Sequence, residues 1–291
     1  MPGIKENKIS NITYIALFLL VIISCKKYGN DNLKVINKLA KPLGELSGIT
    51  MLSDSLLYGI NDSGNKNDVF ILDQKGNILD KKRIPNSKNI DWEDITYDNH
   101  NNLYIGDFGN NKNERKDLTI YKVSGLLDTE LKASKITFYF EDQKKFPPKK
   151  KKLRYDVEAM IHYNGYLYLF TKNRSKNSDA LTYLYKVPDT PGDHTARLIG
   201  GFKVDHDAGD FITGAAINGS KNKIALLAHS KVWLLSDFEQ DNFFEGTITL
   251  IDLQHNSQKE GICFKNDTTL LIIDERKKHT NSYLYEYKLH Q

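Results

Sequence analysis

The sequence predicts an all-β protein, a five-bladed β-propeller closed by its N-terminal strand. Many short apolar runs are rich in aromatic and β-branched residues, with 16 Tyr and 13 Phe against only 7 Pro, which is typical of strands. One motif recurs five times at intervals of roughly 50 residues, the repeat length of propeller blades. Each recurrence is followed by further strand-like runs, and four short strands per repeat make a blade.

Composition excludes several classes of protein. Of the 291 residues, 40% are hydrophobic and 27% are charged, which is typical of a globular protein and excludes a disordered chain or a multi-span membrane protein. The net charge of +4 is too small for a dedicated nucleic-acid binder, so we expect no nucleic-acid partner. Two cysteines cannot make a disulfide framework.

Five short motifs mark the innermost strand of each repeat. They occupy residues 45–49, 91–95, 156–160, 211–215 and 258–262. The second predicted strands are 56–60, 103–105, 166–170, 224–228 and 270–273, and the third are 69–72, 118–123, 182–187, 232–235 and 283–287. A fourth strand is predicted at 78–84, 136–140, 196–204 and 247–251.

The fifth repeat ends after three strands, and residues 33–39 are a strand-like stretch that would complete it and close the ring. A sixth blade in the long interval between Glu93 and Glu158 is the structural alternative. The surplus residues there are Phe146-Pro147-Pro148 followed by lysines, which is a loop composition.

The N-terminus has the features of an export signal. Lys5 and Lys8 precede an apolar run at 15–23, which is too short to span a bilayer as a helix. The run ends Ile22-Ile23-Ser24-Cys25, which resembles the lipobox of bacterial lipoproteins. The resemblance implies a signal peptide at 1–24, lipidation of Cys25, a lipidated tether at 25–32 and a single propeller domain at 33–291.

The implied location is the bacterial outer membrane, lipid-anchored, on either its periplasmic or its surface face. The alternative is an uncleaved membrane anchor with a chance cysteine. The second cysteine, Cys263, lies in a strand-like run and is expected to be buried and inert.

Alternation along an innermost strand points every second residue into the central channel. The central residues of the five motifs are all oxygen-bearing: Ser47, Glu93, Glu158, Thr213 and Glu260. The residues two positions earlier share their orientation and are Glu45, Asp91, Asp156, Phe211 and Gln258. Two carboxylates ~4 Å apart repel by about 4 kcal/mol at an effective dielectric near 20.

Carboxylates gathered in this way must bind protons or hold a cation. An all-oxygen ligand set suits Ca²⁺ and suits Zn²⁺ or Cu²⁺ poorly, so the predicted cofactor is a central Ca²⁺. Two alternatives stay open: these residues could hydrogen-bond to neighbouring backbones without a metal, or the ion could be Mg²⁺ or Mn²⁺.

The order hydroxyl, Glu, Glu, hydroxyl, Glu resembles that of the calcium-activated nucleotidases (apyrases), which are five-bladed propellers with a central Ca²⁺. The motifs at 91–95 and 259–262 are also similar to the SdiA-regulated and esterase-like phytase groups of propellers. The resemblance implies that Ser47, Glu93, Glu158, Thr213 and Glu260 supply metal ligands. Thr213 stands in place of a serine, and no nucleotidase substrate pocket can be matched outside these motifs.

A second set of polar residues follows the second strands and is expected to line the mouth of the channel. These residues are Asp62, Asp107, Lys172, His229 and Asp274, joined by Asn61, Asn110, Asn111, Arg174 and Arg276 from the same loops. Acids and bases above a divalent cation are suited to a phosphate ester or anhydride: Lys172, Arg174 and Arg276 would take up charge, and Asp107 or His229 would orient water. The alternative is that these residues only build turns, for which their composition is also typical.

Two functions follow from this site. The first is a lipid-anchored, Ca²⁺-binding module of the cell envelope, monomeric, with the membrane and an unknown small-molecule or envelope ligand as partners. The second is a Ca²⁺-dependent hydrolase of phosphate-containing or ester substrates, and a weaker third is a glycan-handling accessory protein. No nucleophile elbow, zinc motif or phosphate-binding glycine loop is present in the sequence. The Lys-rich loop at 144–154 is expected to be solvated.

Overall fold

A computed structural model describes residues 32–53, 55–126, 130–176, 180–204, 211–276 and 280–290. The predicted signal peptide, Cys25 and the tether up to residue 31 lie outside this part of the chain. Within the described part, none of the helices has the length and apolar character needed to cross a membrane.

The described residues form twenty β-strands and two short 3-10 helices, at Lys41–Leu43 and Lys150–Lys152. Strand β1 is Leu33–Lys38, and the first blade is β2 (Leu46–Ser53), β3 (Leu56–Asn61), β4 (Asp68–Leu72) and β5 (Ile78–Arg83). The second blade is β6 (Trp92–Tyr97), β7 (Leu103–Asp107), β8 (Thr119–Ser124) and β9 (Lys132–Phe140). The third is β10 (Asp156–Tyr163), β11 (Tyr166–Lys172), β12 (Leu181–Pro188) and β13 (Gly192–Lys203). The fourth is β14 (Gly214–Ile217), β15 (Lys223–Leu227), β16 (Lys231–Ser236) and β17 (Thr247–Asp252). The fifth holds β18 (Lys259–Asn266), β19 (Thr269–Asp274) and β20 (Tyr283–Lys288).

Each blade is an antiparallel meander, and the N-terminal strand completes the fifth one. β1 pairs antiparallel with β20, from Leu33 opposite Tyr287 to Lys38 opposite Tyr283, so the sheet order is β1-β20-β19-β18. The all-β propeller and its N-terminal closing strand are therefore confirmed. The surplus residues 146–154 of the long interval between Glu93 and Glu158, predicted to be a loop, contain a 3-10 helix and no strand.

The second and third blades are joined at their outer edges, which the sequence does not predict. β9 and β13 run parallel and pair from Ile136 opposite Gly192 to Phe140 opposite Ala196. The two meanders thus share one eight-stranded sheet, while the other blades remain separate four-stranded sheets.

The apolar core is divided into five clusters, and each lies between two consecutive blades. The middle strands are buried on both faces because a neighbouring blade covers each face, so that β3 and β7 carry almost no exposed residue. Trp92 of the second blade packs near Tyr58 of the first, and Leu284 of the fifth blade joins the cluster that holds Leu46. Because the last blade packs against the first, the ring closes. Cys263 lies in this last cluster and is buried, as predicted.

The innermost strands approach one another so closely that three of them need a glycine after the channel residue. A Cβ at Gly48 would lie 2.9 Å from the Cα of Asp94 in the next blade. A Cβ at Gly214 would lie 2.6 Å from the carbonyl oxygen of Glu260, and one at Gly261 would lie 3.2 Å from the amide of Ile49. The backbones of neighbouring innermost strands are therefore in close contact at these three positions.

Candidate metal centre at the mouth of the channel

The two predicted hydroxyl ligands bind the backbone of the neighbouring blade. Ser47 Oγ donates a hydrogen bond to the carbonyl of Trp92 at 2.8 Å, and Thr213 Oγ1 donates one to the carbonyl of Lys259 at 2.6 Å. Both side chains are buried. This is the backbone-bonding role that the sequence left open for these positions, and of the two residues Ser47 also borders the cavity at the mouth.

Glu158 is neutralised by cations from its own blade. Lys172 Nζ lies 3.0 Å from one of its oxygens and Arg174 Nη2 lies 2.7 Å from the other, while Arg174 Nε pairs with Asp156. Burial opposes the ionisation of Glu158, but Lys172 and Arg174 outweigh it and hold its pKa below the ordinary value. Glu158 is thus an anion whose charge is already compensated, and two of the three cations predicted at the rim, Lys172 and Arg174, pair with it.

A group of three carboxylates is formed by residues of the first and second blades. One ligand oxygen from each of Asp62, Asp91 and Glu93 lies within 4.8 Å of the others. Asp62 follows directly after β3, Asp91 precedes β6, and Glu93 is the second residue of β6. Of the five residues predicted as a ring of ligands, only Glu93 belongs to this group; Asp62 was predicted at the rim and Asp91 two positions before the channel residue.

The protonation of this group reflects burial and mutual repulsion. Burial first, and then the charge of Asp62, raises the pKa of Asp91 to about 6. The pKa of Glu93 is raised well above its ordinary value by burial and by the surrounding charges of Glu158 and Asp156. Two carboxylates 4.8 Å apart repel by about 3.5 kcal/mol at an effective dielectric near 20. A cation or protons must offset that energy.

The loop after β7 encloses this group. Gly109 lies against it so closely that a methyl group there would overlap an oxygen of Glu93 and an oxygen of Asp91. The amide of Gly109 donates to the carbonyl of Asp91 at 3.1 Å, and the amide of Asp91 donates to Asp107 at 2.9 Å. Arg115 Nη1 lies 3.3 Å from the same Asp107 oxygen. Asp107, a candidate for orienting water, is therefore buried behind Asp91 and holds that residue in place.

The opposite wall carries Glu260. Burial, and then the charge of Glu158, raises the pKa of Glu260 to about 8. His229, which was predicted to orient water, lies next to this wall: its Nε2 is 3.9 Å from Glu260 Oε1.

Together these walls enclose a polar cavity of about 230 Å³. It is lined by Glu45, Leu46, Ser47, Asp62, Glu93, Asn111, Glu158, Lys172, Arg174, Gln258, Glu260 and Glu275. The lining includes anions and cations, and its donor atoms are oxygen and nitrogen of carboxylates, amides, a hydroxyl, an ammonium and a guanidinium group. No His or Cys is among these lining residues, so the cavity suits a hard cation.

Two further candidates lie elsewhere. Asp274 is buried within the fifth blade, where it accepts hydrogen bonds from the amide of Tyr283 at 2.7 Å and the hydroxyl of Tyr285 at 2.6 Å. Arg276 borders an adjacent cavity and packs against Gly44.

Sequence reasoning missed the carboxylate at the centre of the ring. Asp94 is only 1% exposed, and accepts hydrogen bonds from the amide of Ile95 at 2.8 Å and of Met160 at 2.7 Å. The amide of Ala215 also donates to it, and burial raises its pKa well above the ordinary value. One side chain thus links the second, third and fourth blades. A signal was available, because the equivalent residue in three other repeats is a glycine.

A second acid–imidazole group links blades away from the mouth. His162 Nε2 lies 2.9 Å from Asp189, and the ring stacks on Tyr104 at 5.2 Å between centroids. The hydroxyl of Tyr104 donates to Asp98 at 2.9 Å, and Asp98 also accepts bonds from the amides of its own turn. Through these contacts the group connects the second blade to the third.

No protein-family model matches the sequence, and no curated protein matches it either. Solved structures resemble the chain only at very low sequence identity and at TM-scores below 0.5. The chain is 10% identical to a gluconolactonase from Xanthomonas campestris, with 89% of each chain covered and a TM-score of 0.46. It is 8% identical to the β-propeller domain of Cps50 (Swd1) from Myceliophthora thermophila, covering 88% of this chain and 99% of that one at a TM-score of 0.45. It is 14% identical to virginiamycin B lyase from Staphylococcus aureus, covering 86% and 69% at a TM-score of 0.39. The strand order and pairing of the blades define the fold of this chain.

Proposed function

We propose that this chain is a lipid-anchored β-propeller of the bacterial cell envelope that binds Ca²⁺ at the mouth of its channel and acts as a binding module. Asp62, Asp91 and Glu93 hold the ion. The observation that carries the proposal is the convergence of these three carboxylates within 4.8 Å from two blades. Asp62 and Glu93 also line a polar cavity whose lining residues include no His or Cys.

Three features support a cation at this place. Burial and neighbouring negative charges raise the pKa values of Asp91 and Glu93, whereas Lys172 and Arg174 hold the pKa of Glu158 below its ordinary value. Gly109 has no side chain, and any larger residue at this position would occupy the space of the Asp91 and Glu93 carboxylates. An all-oxygen set of carboxylate ligands suits the 6–8-fold oxygen coordination of Ca²⁺.

The size of the cavity favours binding over catalysis. Its volume of about 230 Å³ is below the roughly 300–1,000 Å³ typical of sites for small molecules, so it takes an ion and a small anionic group. When bound, Ca²⁺ would supply a positive charge to such a group, and the neighbouring Asn111 would orient it.

Calorimetric titration of chelator-treated protein with Ca²⁺ tests the site. We expect one ion per chain for the wild type, and at least a tenfold loss of affinity in Glu93→Gln and Asp91→Asn. Glu130→Gln is the matched control, because this carboxylate is 76% exposed and far from the motifs. Unchanged affinity in the Glu93→Gln, Asp91→Asn double variant would refute the proposed ligand set.

A second candidate is a Ca²⁺-dependent hydrolase of phosphate-containing or ester substrates at the same mouth. The observation that favours it is the presence of Lys172 and Arg174 in the wall of the cavity, where they could take up phosphoryl charge. Against it, both cations already pair with Glu158. Turnover of nucleotides and phosphate esters that requires Ca²⁺ and is lost in Glu93→Gln would establish the enzyme and displace the binding module.

A further inference from the structure

We infer that the lysine-rich loop between β9 and β10 binds an acidic polysaccharide. Six of its lysines are exposed and form what we call the lysine patch: Lys144, Lys145, Lys149, Lys150, Lys151 and Lys152. The patch is independent of the cation site. The choice of a polysaccharide as its partner rests on the lipid anchor and the envelope location in the proposed function.

The loop carries a large surplus of positive charge. Residues 141–154 include seven Lys and Arg against two Asp and Glu, so this segment has a net charge of +5. The whole chain has a net charge of +4, and the rest of the sequence is therefore close to neutral. Charge of one sign concentrated on one surface attracts partners of the opposite sign and sets which of them associate.

The two acidic residues of the loop are bonded to other groups. Asp142 accepts hydrogen bonds from the hydroxyls of Tyr155 at 3.2 Å and Tyr185 at 3.1 Å, and Glu141 accepts one from the amide of Leu198 at 2.9 Å. Among the ion pairs formed by the described residues, none includes a lysine of the patch. The protein therefore gathers six cations at one place without supplying carboxylates to compensate them.

Backbone hydrogen bonds fix the loop beside the mouth of the channel. The amide of Lys176 donates to the carbonyl of Lys150 at 3.0 Å, and the amide of Arg174 donates to that of Leu153 at 2.8 Å. The guanidinium of Arg174 pairs in turn with Glu158 in the wall of the cavity. Because the backbone that carries the lysines is already ordered, less conformational entropy is lost when a partner binds.

The predicted tether leaves the ring at the other end. Glu260 lines the cavity and is the second residue of β18, so β18 starts at the mouth. β18, β19, β20 and β1 pair antiparallel in that order, so β1 starts away from the mouth and runs toward it. Its six residues span about 20 Å. In a lipid-anchored chain the patch therefore faces away from the anchoring bilayer, which disfavours lipid headgroups as its partner.

The aromatic rings near the patch do not favour nucleic acid. Lys116 Nζ lies 5.3 Å from the centroid of the Phe146 ring, and the guanidinium of Arg154 lies 5.0 Å from that of Tyr183. Proteins that bind single strands use aromatic faces on which bases stack, and here each ring carries a cation. Separate cations on an exposed surface instead match the repeated carboxylates or sulfates of an acidic glycan.

The test measures binding of carboxymethyl-dextran by calorimetry to the full-length chain in phosphatidylcholine vesicles, with a calcium chelator present. Unmodified dextran has the same backbone without the carboxylates and is the ligand control. The loop variant replaces four lysines of the patch by glutamine, Lys149→Gln, Lys150→Gln, Lys151→Gln and Lys152→Gln. The matched variant makes the same change in net charge at four exposed lysines outside the patch: Lys34→Gln, Lys38→Gln, Lys75→Gln and Lys288→Gln.

We expect the wild type to bind carboxymethyl-dextran and not dextran, with an affinity at least tenfold lower in the loop variant and less than threefold lower in the matched variant. Adding phosphatidylglycerol to the vesicles should change the affinity less than threefold in 0.15 M salt, where charges are screened within about 8 Å. Equal losses in the two variants overturn the inference, as does loss of polymer binding in phosphatidylglycerol vesicles, which would place the patch on lipid.

A third arm tests nucleic acid as the partner. Single-stranded DNA that stays bound in ~0.5 M salt, where exposed charges are strongly screened, would show base stacking and would also overturn the inference. Mass spectrometry of the N-terminal peptide reports acylation on the same preparation, and the Ca²⁺ titration reports the cation site. Failure of either part of the proposed function is therefore distinguishable from failure of the patch.

Discussion

Asp94 offers the sharpest test of how the ring is held together. Its carboxylate accepts three backbone hydrogen bonds, from Ile95, Met160 and Ala215 on three different blades, and is almost completely buried. Replacing it with alanine leaves three buried amides without an acceptor. Each such group costs about 1–3 kcal/mol, which sets a range of about 3–9 kcal/mol.

The expected loss in Asp94→Ala lies toward the low end of that range. Water entering the space left by the side chain restores some hydrogen bonds, and the variant no longer carries the cost of burying a carboxylate whose pKa is raised. We therefore expect about 3–5 kcal/mol in the free energy of unfolding, which is large for a single substitution. For a domain of this size that corresponds to a fall in Tm of roughly 6–20 °C.

Urea denaturation measures this change, and Asp94→Asn refines it. Asparagine is neutral and keeps one acceptor, so its loss should be smaller, about 1–3 kcal/mol. Asp80→Ala is the control: Asp80 is exposed on β5 and accepts a bond from the adjacent amide of Lys81, so its removal should cost less than about 0.5 kcal/mol. If Asp94→Ala unfolds within 1 kcal/mol of Asp80→Ala, the idea that this carboxylate connects the blades is wrong.

Three further outcomes are expected. Gly109→Ala should lower Ca²⁺ affinity at least tenfold in a calorimetric titration, because its methyl group displaces Asp91 and Glu93; unchanged affinity would show that the loop does not position them. Arg174→Met should cost about 3–5 kcal/mol in urea denaturation, because it removes one of the two cations that pair with the buried, ionised Glu158, whereas a loss below 1 kcal/mol would mean that Lys172 suffices alone. Without a cation, the protein should lose stability as the pH rises from about 4 to 8. The pKa values of Asp91, Asp156 and Glu260 are raised to about 6, 8 and 8, so the folded state binds more protons than the unfolded state in that range. Glu158, whose pKa is lowered, acts in the opposite direction below that range. Saturating Ca²⁺ should flatten the decline, and a Tm that is independent of pH would contradict the raised values.

The repeat pattern predicted the blades because strand formation depends on local alternation. Each of the five motifs marks an innermost strand or the residue just before one, and residues 33–39 contain the strand that closes the fifth blade. The parallel pairing of β9 with β13 was not predictable, because outer strands pair across blades only when the tertiary structure brings their edges together.

The candidate site was predicted in part. The sequence placed Glu93 in the channel and Asp62 near its mouth, and both lie in the carboxylate group. It treated Glu158 as equivalent to Glu93. The structure separates the two, because Lys172 and Arg174 pair with Glu158 and lower its pKa, whereas the pKa of Glu93 is raised well above its ordinary value by burial and by neighbouring carboxylates.

By itself, the sequence determined the all-β class, the repeated four-stranded unit and the strand that closes the ring, since these follow from the alternation of apolar and polar residues over a few positions. Only the tertiary structure decided which carboxylates lie close to one another and which of them pairs with Lys172 and Arg174. Asp62 and Glu93 come from different blades, and their repulsion depends on the distance between them and on burial, neither of which is encoded in the spacing along the chain.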